Sequence, residues 1–268
     1  MIPDELIGDE GVVLGGMLFT LVEPHKGHEV DYHRWYERDH FYSGCMEGPW
    51  LFAGRRFVAT RDLKDLREPI ESPIVRPIDA GSFLSVYWIL KGRFAEHIEW
   101  GTKQVHWLHD NGRMFPHRDH VHTFMYVHRW TVRRDPDGVP PELALDHLFP
   151  GLVTVMVAAN PDTDRKAFNT WLREEMLPAR IEGTDAALVL GFTPVPMPDD
   201  APVDQSLPEG MDRRQLMLFF LDRDPHECGD VTDGLVEQVA ESGLGSVELV
   251  APFIPTIPGT DTYCDRLW

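Results

Sequence analysis

Residues 29–46, EVDYHRWYERDHFYSGCM, read as one amphipathic helix: Tyr32, Trp35, Tyr36 and Asp39 fall along one side with Ser43 or Cys45, and His40 stands at its edge. A second stretch, TDRKAFNTWLREEMLPARI at 163–181, reads as a helix capped by Asp162 or Thr163. Setting Trp35 on Trp171 superposes the two and brings Met46-Glu47-Gly48 within one residue of Ile181-Glu182-Gly183. A recurrence of this kind decides a fold, because each repeat is one supersecondary unit.

Working outward, the same order of elements surrounds both helices. Before the first lies an apolar strand at 12–22. After it come a strand at 52–60, a Pro-rich connection at 61–81, a strand at 83–90, a helix at about 92–110 and a strand at 121–131. The second copy has a strand at 152–158, a short strand near 187–193 and a Pro-rich connection at 194–212. A strand at 215–221, a helix at about 230–242 and a strand at 246–254 complete it. The Pro-rich loop falls at the same step in both. Such a βαββαβ unit makes a four-stranded antiparallel sheet with both helices on one face, and the other face must be covered. Two units in one chain cover each other. The alternative is a single α+β domain whose elements merely recur.

Composition bounds the function. The chain has 268 residues, 43% hydrophobic and 26% charged, as a globular protein has. The net charge of −19 argues against a nucleic-acid partner and against anionic membrane surfaces. No apolar run is long enough for a membrane span, and the acidic start MIPDELIGDEGV is unlike a secretory signal. Cys45, Cys228 and Cys264 are odd in number and widely spaced, which suits free thiols in a reducing compartment, so a cytoplasmic location is expected. Dinucleotide, P-loop and hydrolase-elbow motifs are absent, and Gly15-Gly16 inside a strand reads as a bulge.

Trp35-Tyr36-Glu37-Arg38-Asp39-His40, Gly48 and Gly54-Arg55-Arg56-Phe57 together resemble the EthD-like group of the dimeric α/β-barrel superfamily. That group carries W-Y-D-x-x-H on its first helix, then a Pro-Gly turn and a strand with R-R-Y. Here the turn is Glu47-Gly48-Pro49 and Phe57 stands for the tyrosine. The motif covers about residues 12–60; beyond them only the order of elements is shared. The resemblance implies two tandem ferredoxin-like βαββαβ units packed sheet to sheet as an intrachain α/β barrel. Residues 1–131 would be the first unit, 132–150 a linker and 151–268 a second, degenerate unit. The superfamily holds cofactor-free cyclases, muconolactone-type isomerases, quinone-forming monooxygenases, haem proteins and members without known activity, so fold alone does not choose among reactions.

The distribution of ionisable residues favours the first unit: eleven of the thirteen histidines precede residue 130, Met176 stands at the place of His40, and Arg55-Arg56 has no counterpart in VLGFTPV. His40 is the leading acid–base candidate, since an imidazole titrates near neutrality; the competing role is a helix cap or a bond to a backbone carbonyl. Tyr126 and His128, sharing a face of the 121–131 strand, and His97 on the second helix are its possible partners. Trp35, Tyr36, Arg56, Tyr87, Trp88 and Trp100 are candidate pocket walls, each equally suited to plain core packing.

His106 and His109, with His117, His120 and His122, raise a metal site, but HRDHVH matches no compact ligand motif and NGRMFPHRD reads as exposed loop. No metal or haem ligand is assigned and no cofactor is expected. The sequence thus points to cofactor-free acid–base chemistry of the isomerase, cyclase or lyase kind on a small apolar, aromatic or polyketide-like molecule. The alternatives are cofactor-independent oxygenation of a phenol and a non-catalytic binding or scaffold protein. Assembly into a homo-oligomer through the helix faces stays open.

Overall fold

The computed structural model describes residues 11–195 and 210–268. Eight strands form one antiparallel sheet: β1 (Leu14–Pro24), β2 (Leu51–Val58), β3 (Phe83–Leu90), β4 (Arg118–Arg133), β5 (Gly151–Ala159), β6 (Ala186–Val195), β7 (Arg214–Leu221) and β8 (Gly245–Pro255). The sheet closes into a barrel in the order β1-β3-β2-β8-β5-β7-β6-β4. The two halves therefore meet edge to edge as well as across the interior. β2 joins β8 by the short pairing of Phe57 with Pro255 and Val58 with Ile254. β4 joins β6 over a longer run, from Met125 opposite Val195 to Arg133 opposite Leu188.

Helices cover the outside. In the first half these are α1 (Glu29–Trp35), α2 (Arg61–Lys64) and α3 (Phe94–Asp110); in the second, α4 (Arg165–Trp171), α5 (Leu177–Ile181), α6 (Gly229–Thr232) and α7 (Leu235–Glu241). Strand alternation sorts the apolar side chains into two cores. Phe19, Trp88, Phe124, Phe192, Leu218 and Phe253 fill the interior. Val155, Val189, Phe219 and Val247 point outward in the second half and pack against Phe168, Leu172, Leu177 and Val239 of its helices. β5 and β7 are buried along their whole length, and apart from Thr154 and the opening Arg214-Gln215 they read as apolar runs without a polar face.

Several sequence expectations change in detail. The helix expected at 163–181 is capped by Asp164, whose side chain accepts from the Lys166 amide at 2.9 Å, and not by Asp162 or Thr163. β4 begins three residues early, at Arg118. Segment 132–150 is more than a tether, since Ala144, Leu145 and Phe149 are buried and Pro141 O accepts from the Trp88 indole at 3.1 Å. The Gly15-Gly16 bulge is present, as a register shift against β3 between Leu14 and Gly16. Of the Pro-rich stretch 194–212, residues 196–209 lie outside the described residues, as does the acidic start 1–10. Among the described residues no helix is long and apolar enough to cross a membrane.

The helix expected at 29–46 departs most from regularity. After α1 the chain continues in two π-helical turns, Tyr36–His40 and Tyr42–Met46. A π turn bonds i to i+5, so it is wider than an α turn and shifts the facing row from a mixed three-and-four spacing to every fourth residue. Tyr36, His40 and Gly44 accordingly form one row and line the same cavity. The second half has its own π turn at Leu172–Met176, at the positions matched to Tyr36–His40 by the Trp35–Trp171 alignment.

Candidate functional site

The cavity lies between the first-half helices and the outer face of the barrel. α1 and its π turns supply Tyr36, His40, Gly44 and Cys45; α3 supplies His97, Ile98, Gly101, Thr102 and Val105. The floor is Leu18 and Thr20 of β1 with Arg118, His120, Thr123 and Met125 of β4, and Met114 closes one side. Its volume is about 110 Å³, room for about four water molecules at their liquid volume, or the bulk of a two-ring aromatic.

His40 is held by ring contacts alone. Its imidazole stacks on Trp35 at 4.6 Å and meets the edge of Tyr36 at 5.2 Å. Neither ring nitrogen makes a hydrogen bond with a described residue, and Nδ1 is fully buried. Burial, and then the positive charge of Arg118, pull its pKa down to about 3, so the ring is neutral at physiological pH. Asp39, its neighbour in the chain, turns away: it accepts from Arg113 Nε at 3.2 Å and from the Ser43 hydroxyl at 3.0 Å.

Gly44 makes the ring's position possible. A Cβ there would stand 2.7 Å from His40 Cε1 and 2.8 Å from Nδ1. The ring, clamped on Trp35, has little freedom to give way. Gly44→Ala is therefore expected to displace the imidazole while raising local helix propensity by about 1 kcal/mol. A crystal structure of the variant with a shifted His40, alongside a melting temperature within a few degrees of wild type, is the check.

The other two imidazoles of the cavity are fixed through Nδ1. His97 Nδ1 donates to Pro49 O at 3.0 Å. His120, its pKa lowered to about 4 by burial and by Arg118, is bonded through Nδ1 to the Thr123 hydroxyl at 2.8 Å. Tyr36 is buried with its hydroxyl meeting that of Tyr87 at 2.9 Å. Burial raises the Tyr36 phenol and the Cys45 thiol each to about 12, so both remain protonated. The one permanent charge is Arg118, whose guanidinium lies 4.9 Å from the centre of the Trp35 ring and donates to Phe115 O.

The structure thus brings together His40, His97 and Tyr36 on the cavity wall with Trp35 and Tyr87 directly behind. Tyr126 and His128 are on the opposite face of β4. Strand alternation turns Thr123 and Met125 toward the cavity and sends His122, Phe124 and Tyr126 into the barrel, where the Tyr126 hydroxyl meets His122 Nε2 at 2.5 Å. His128 contacts Phe192, which also stacks on Trp88, so Trp88 belongs to the interior core. Arg56 is buried beneath α1, 4.5 Å from the centre of the Tyr36 ring, and bonds His33 Nδ1 at 3.1 Å. Trp100 stacks on His97 and covers Gly48.

Arg118 and Thr20 are cavity residues that the sequence does not single out, and His120 stands there as a possible metal ligand rather than as part of the cavity floor. The stretch NGRMFPHRD reads as exposed loop, yet Arg118 at its end and His120 just beyond it sit on β4 in the cavity, and His122 is buried. The signal was the alternation itself, which continues to Arg118 once a bulge at Val121 is allowed. His106 and His109 are exposed on α3, and no group of three or more metal-ligating side chains occurs among the described residues. A porphyrin does not fit either half. It exceeds the first cavity, and in the second half Phe168, Leu172, Met176 and Phe219 fill the corresponding space with no histidine among them.

No family model and no curated protein sequence matches the chain. Solved structures do share its fold. One described as a candidate chlorite dismutase aligns over 96% of this chain and 100% of its own, with a TM-score of 0.55 at 10% identity. An anthrone oxidase-like protein aligns over 93% and 95%, with a TM-score of 0.51 at 9% identity. A candidate monooxygenase from Fusobacterium nucleatum subsp. nucleatum aligns over 92% and 94%, with a TM-score of 0.50 at 8% identity. At such identities the likeness concerns the fold alone, and these neighbours fit a ferredoxin-like α+β architecture.

Proposed function

We propose that the chain is an enzyme that removes a proton from an acidic C–H or O–H of a small apolar, aromatic or polyketide-like molecule, with His40 as the base and no cofactor. Isomerisation, cyclisation or elimination then completes the reaction. The observation that carries this is the neutral, unbonded imidazole of His40 on an apolar cavity wall. A structural histidine spends its nitrogens on the protein, whereas this one keeps a lone pair available. Its low basicity in the free protein reflects desolvation beside a cation. Taking the proton of a C–H or O–H group leaves a negative charge on that atom next to the imidazolium, and that charge offsets both penalties.

The reading includes an internal duplication: two ferredoxin-like units, 1–131 and 151–268 joined by 132–150, of EthD-like type, the second kept as scaffold. The strand orders β4-β1-β3-β2 and β8-β5-β7-β6, each fourth-first-third-second in its own half, support it, as does the π turn at matched positions. A second reading, oxygenation of a phenol or anthrone-like substrate by molecular oxygen, begins with the same deprotonation, and the names of two fold neighbours favour it.

The test needs only an acidic carbon. 1-Indanone and 2-tetralone, both two-ring ketones, are incubated with the protein in D2O under nitrogen and examined by mass spectrometry. Deuterium uptake above the buffer rate is expected, and its absence for both ketones would remove His40 as a base for this substrate class. Repeating the incubation in air separates the two readings by the appearance of oxygenated product. The pH profile is a further prediction. Free imidazole loses half its base form at its ordinary value near 6.5, but His40, lowered to about 3, stays neutral as the pH falls from 8 to 5. The enzyme-catalysed exchange is therefore expected to stay flat over that range, and a half-point near 6.5 would contradict the placement of the ring.

A further inference from the structure

We infer that the molecule taken by this cavity carries a carboxylate, which docks on Arg118, so that the substrate class is a small aromatic acid rather than a neutral aromatic. This rests on the proposed site but not on its chemistry. The chain has 44 acidic residues, yet none of the side chains lining the cavity is acidic. Arg118 makes its contacts with Phe115 O and the face of Trp35, and no carboxylate pairs with it among the described residues. The nearby acids are committed elsewhere: Asp39 to Arg113 and Ser43, Asp119 to His25 at 3.1 Å, Glu23 to Ser82 and Lys64. A guanidinium half-withdrawn from water without a counter-ion is costly, and its planar fork matches a carboxylate.

The rest of the cavity agrees with this occupant. Leu18, Ile98, Val105 and Met125 supply apolar wall for a ring. The side that holds Arg118 is the polar one, with the Thr20 and Thr123 hydroxyls bonded to each other at 2.8 Å and His120 bonded to Thr123. An aromatic acid placed with its carboxylate on Arg118 leaves its ring between α3 and β1, within the reach of the cavity that also holds His40.

Calorimetric titration of the intact protein with 1-naphthoate, methyl 1-naphthoate and 1-naphthylmethylammonium separates charge from shape. Naphthoate is expected to bind roughly tenfold to a hundredfold more tightly than its ester, the range of a charge-assisted hydrogen bond, and the ammonium least. Arg118→Met is expected to bring naphthoate down to the level of the ester, while Arg118→Lys, which keeps the charge if the methionine variant does not fold, retains part of the preference. Equal affinity for acid and ester, no binding of naphthoate up to its solubility, or a preference that survives Arg118→Met would each overturn the inference. The deuterium-exchange result is independent. Exchange without a carboxylate preference leaves the proposed function standing and removes this one, and a preference without exchange does the reverse.

Discussion

Replacing His40 with alanine is expected to lower catalysed deuterium exchange by about 10²–10⁴-fold, the usual contribution of a positioned general base, with little loss of folding stability. The large effect follows from the state of the other cavity histidines. His97 spends Nδ1 on Pro49 O and His120 is bonded through Nδ1 to Thr123, so both rings are fixed where they stand and neither can swing into the place that His40 leaves. The small effect on stability follows from what His40 does for the fold. Among the described residues it makes no hydrogen bond and its buried Nδ1 has no partner, and its packing is one face on Trp35 and one edge on Tyr36. Removing a polar atom that was already unsatisfied recovers part of the packing lost. The void left behind is lined by Trp35, Tyr36 and Gly44 and has the shape of an imidazole. Added imidazole is therefore expected to restore part of the exchange in the alanine variant and to do nothing for the wild type. Wild-type exchange in the variant would remove the base assignment, and an unfolded variant, seen as a lost thermal transition, would move His40 from chemistry to structure.

How far the sequence could be read depended on whether a signal was local or rotational. Strands β3 and β7 and the ends of α3 were legible because each is a short apolar run or a long amphipathic period bounded by Gly or Pro. His40 was legible as a candidate because it closes the Trp35–His40 motif on which the family resemblance rests. Its rotation was not legible. A 3.6-residue wheel puts His40 at the margin of the face and Asp39 within it. Two π turns reverse this, bringing His40 into the cavity beside Gly44 and sending Asp39 to Arg113. Nothing in the composition of YERDH announces a wider turn, because the cause is tertiary: the row Tyr36, His40, Gly44 is the one the underlying sheet accepts. Arg118 and His120 were lost to a similar cause. A bulge at Val121 breaks the alternation that marks a strand, so a cavity floor looked like loop. Tyr126, His128 and Trp88 show a third limit. Alternation puts residues on a common face, but in a closed barrel both faces of a strand are apolar, and only the packing says which one looks inward.

That last ambiguity carries the second large prediction. Trp88 resembles a pocket wall in the sequence, but the structure buries it completely inside the barrel, stacked on Phe192 at 5.8 Å and tied by its indole N–H to Pro141 O at 3.1 Å. Trp88→Ala is expected to destabilise the fold by roughly 3–5 kcal/mol, the usual cost of removing a buried tryptophan from a packed core. For a chain of this length that corresponds to a fall in Tm on the order of ten degrees. The loss has two parts. One is the cavity left between β3 and β6, which the rigid strands on either side cannot collapse to fill. The other is Pro141 O, left without its donor where segment 132–150 folds against the barrel. Binding of a small aromatic acid in the outer cavity is expected to be unchanged at temperatures where the variant is folded, since Trp88 and that cavity lie on opposite faces of β3. A variant that keeps its Tm but loses ligand affinity would mean that the barrel interior, not the space under α1, is where the ligand goes, and His122 and Tyr126 would then replace His40 as the groups to mutate.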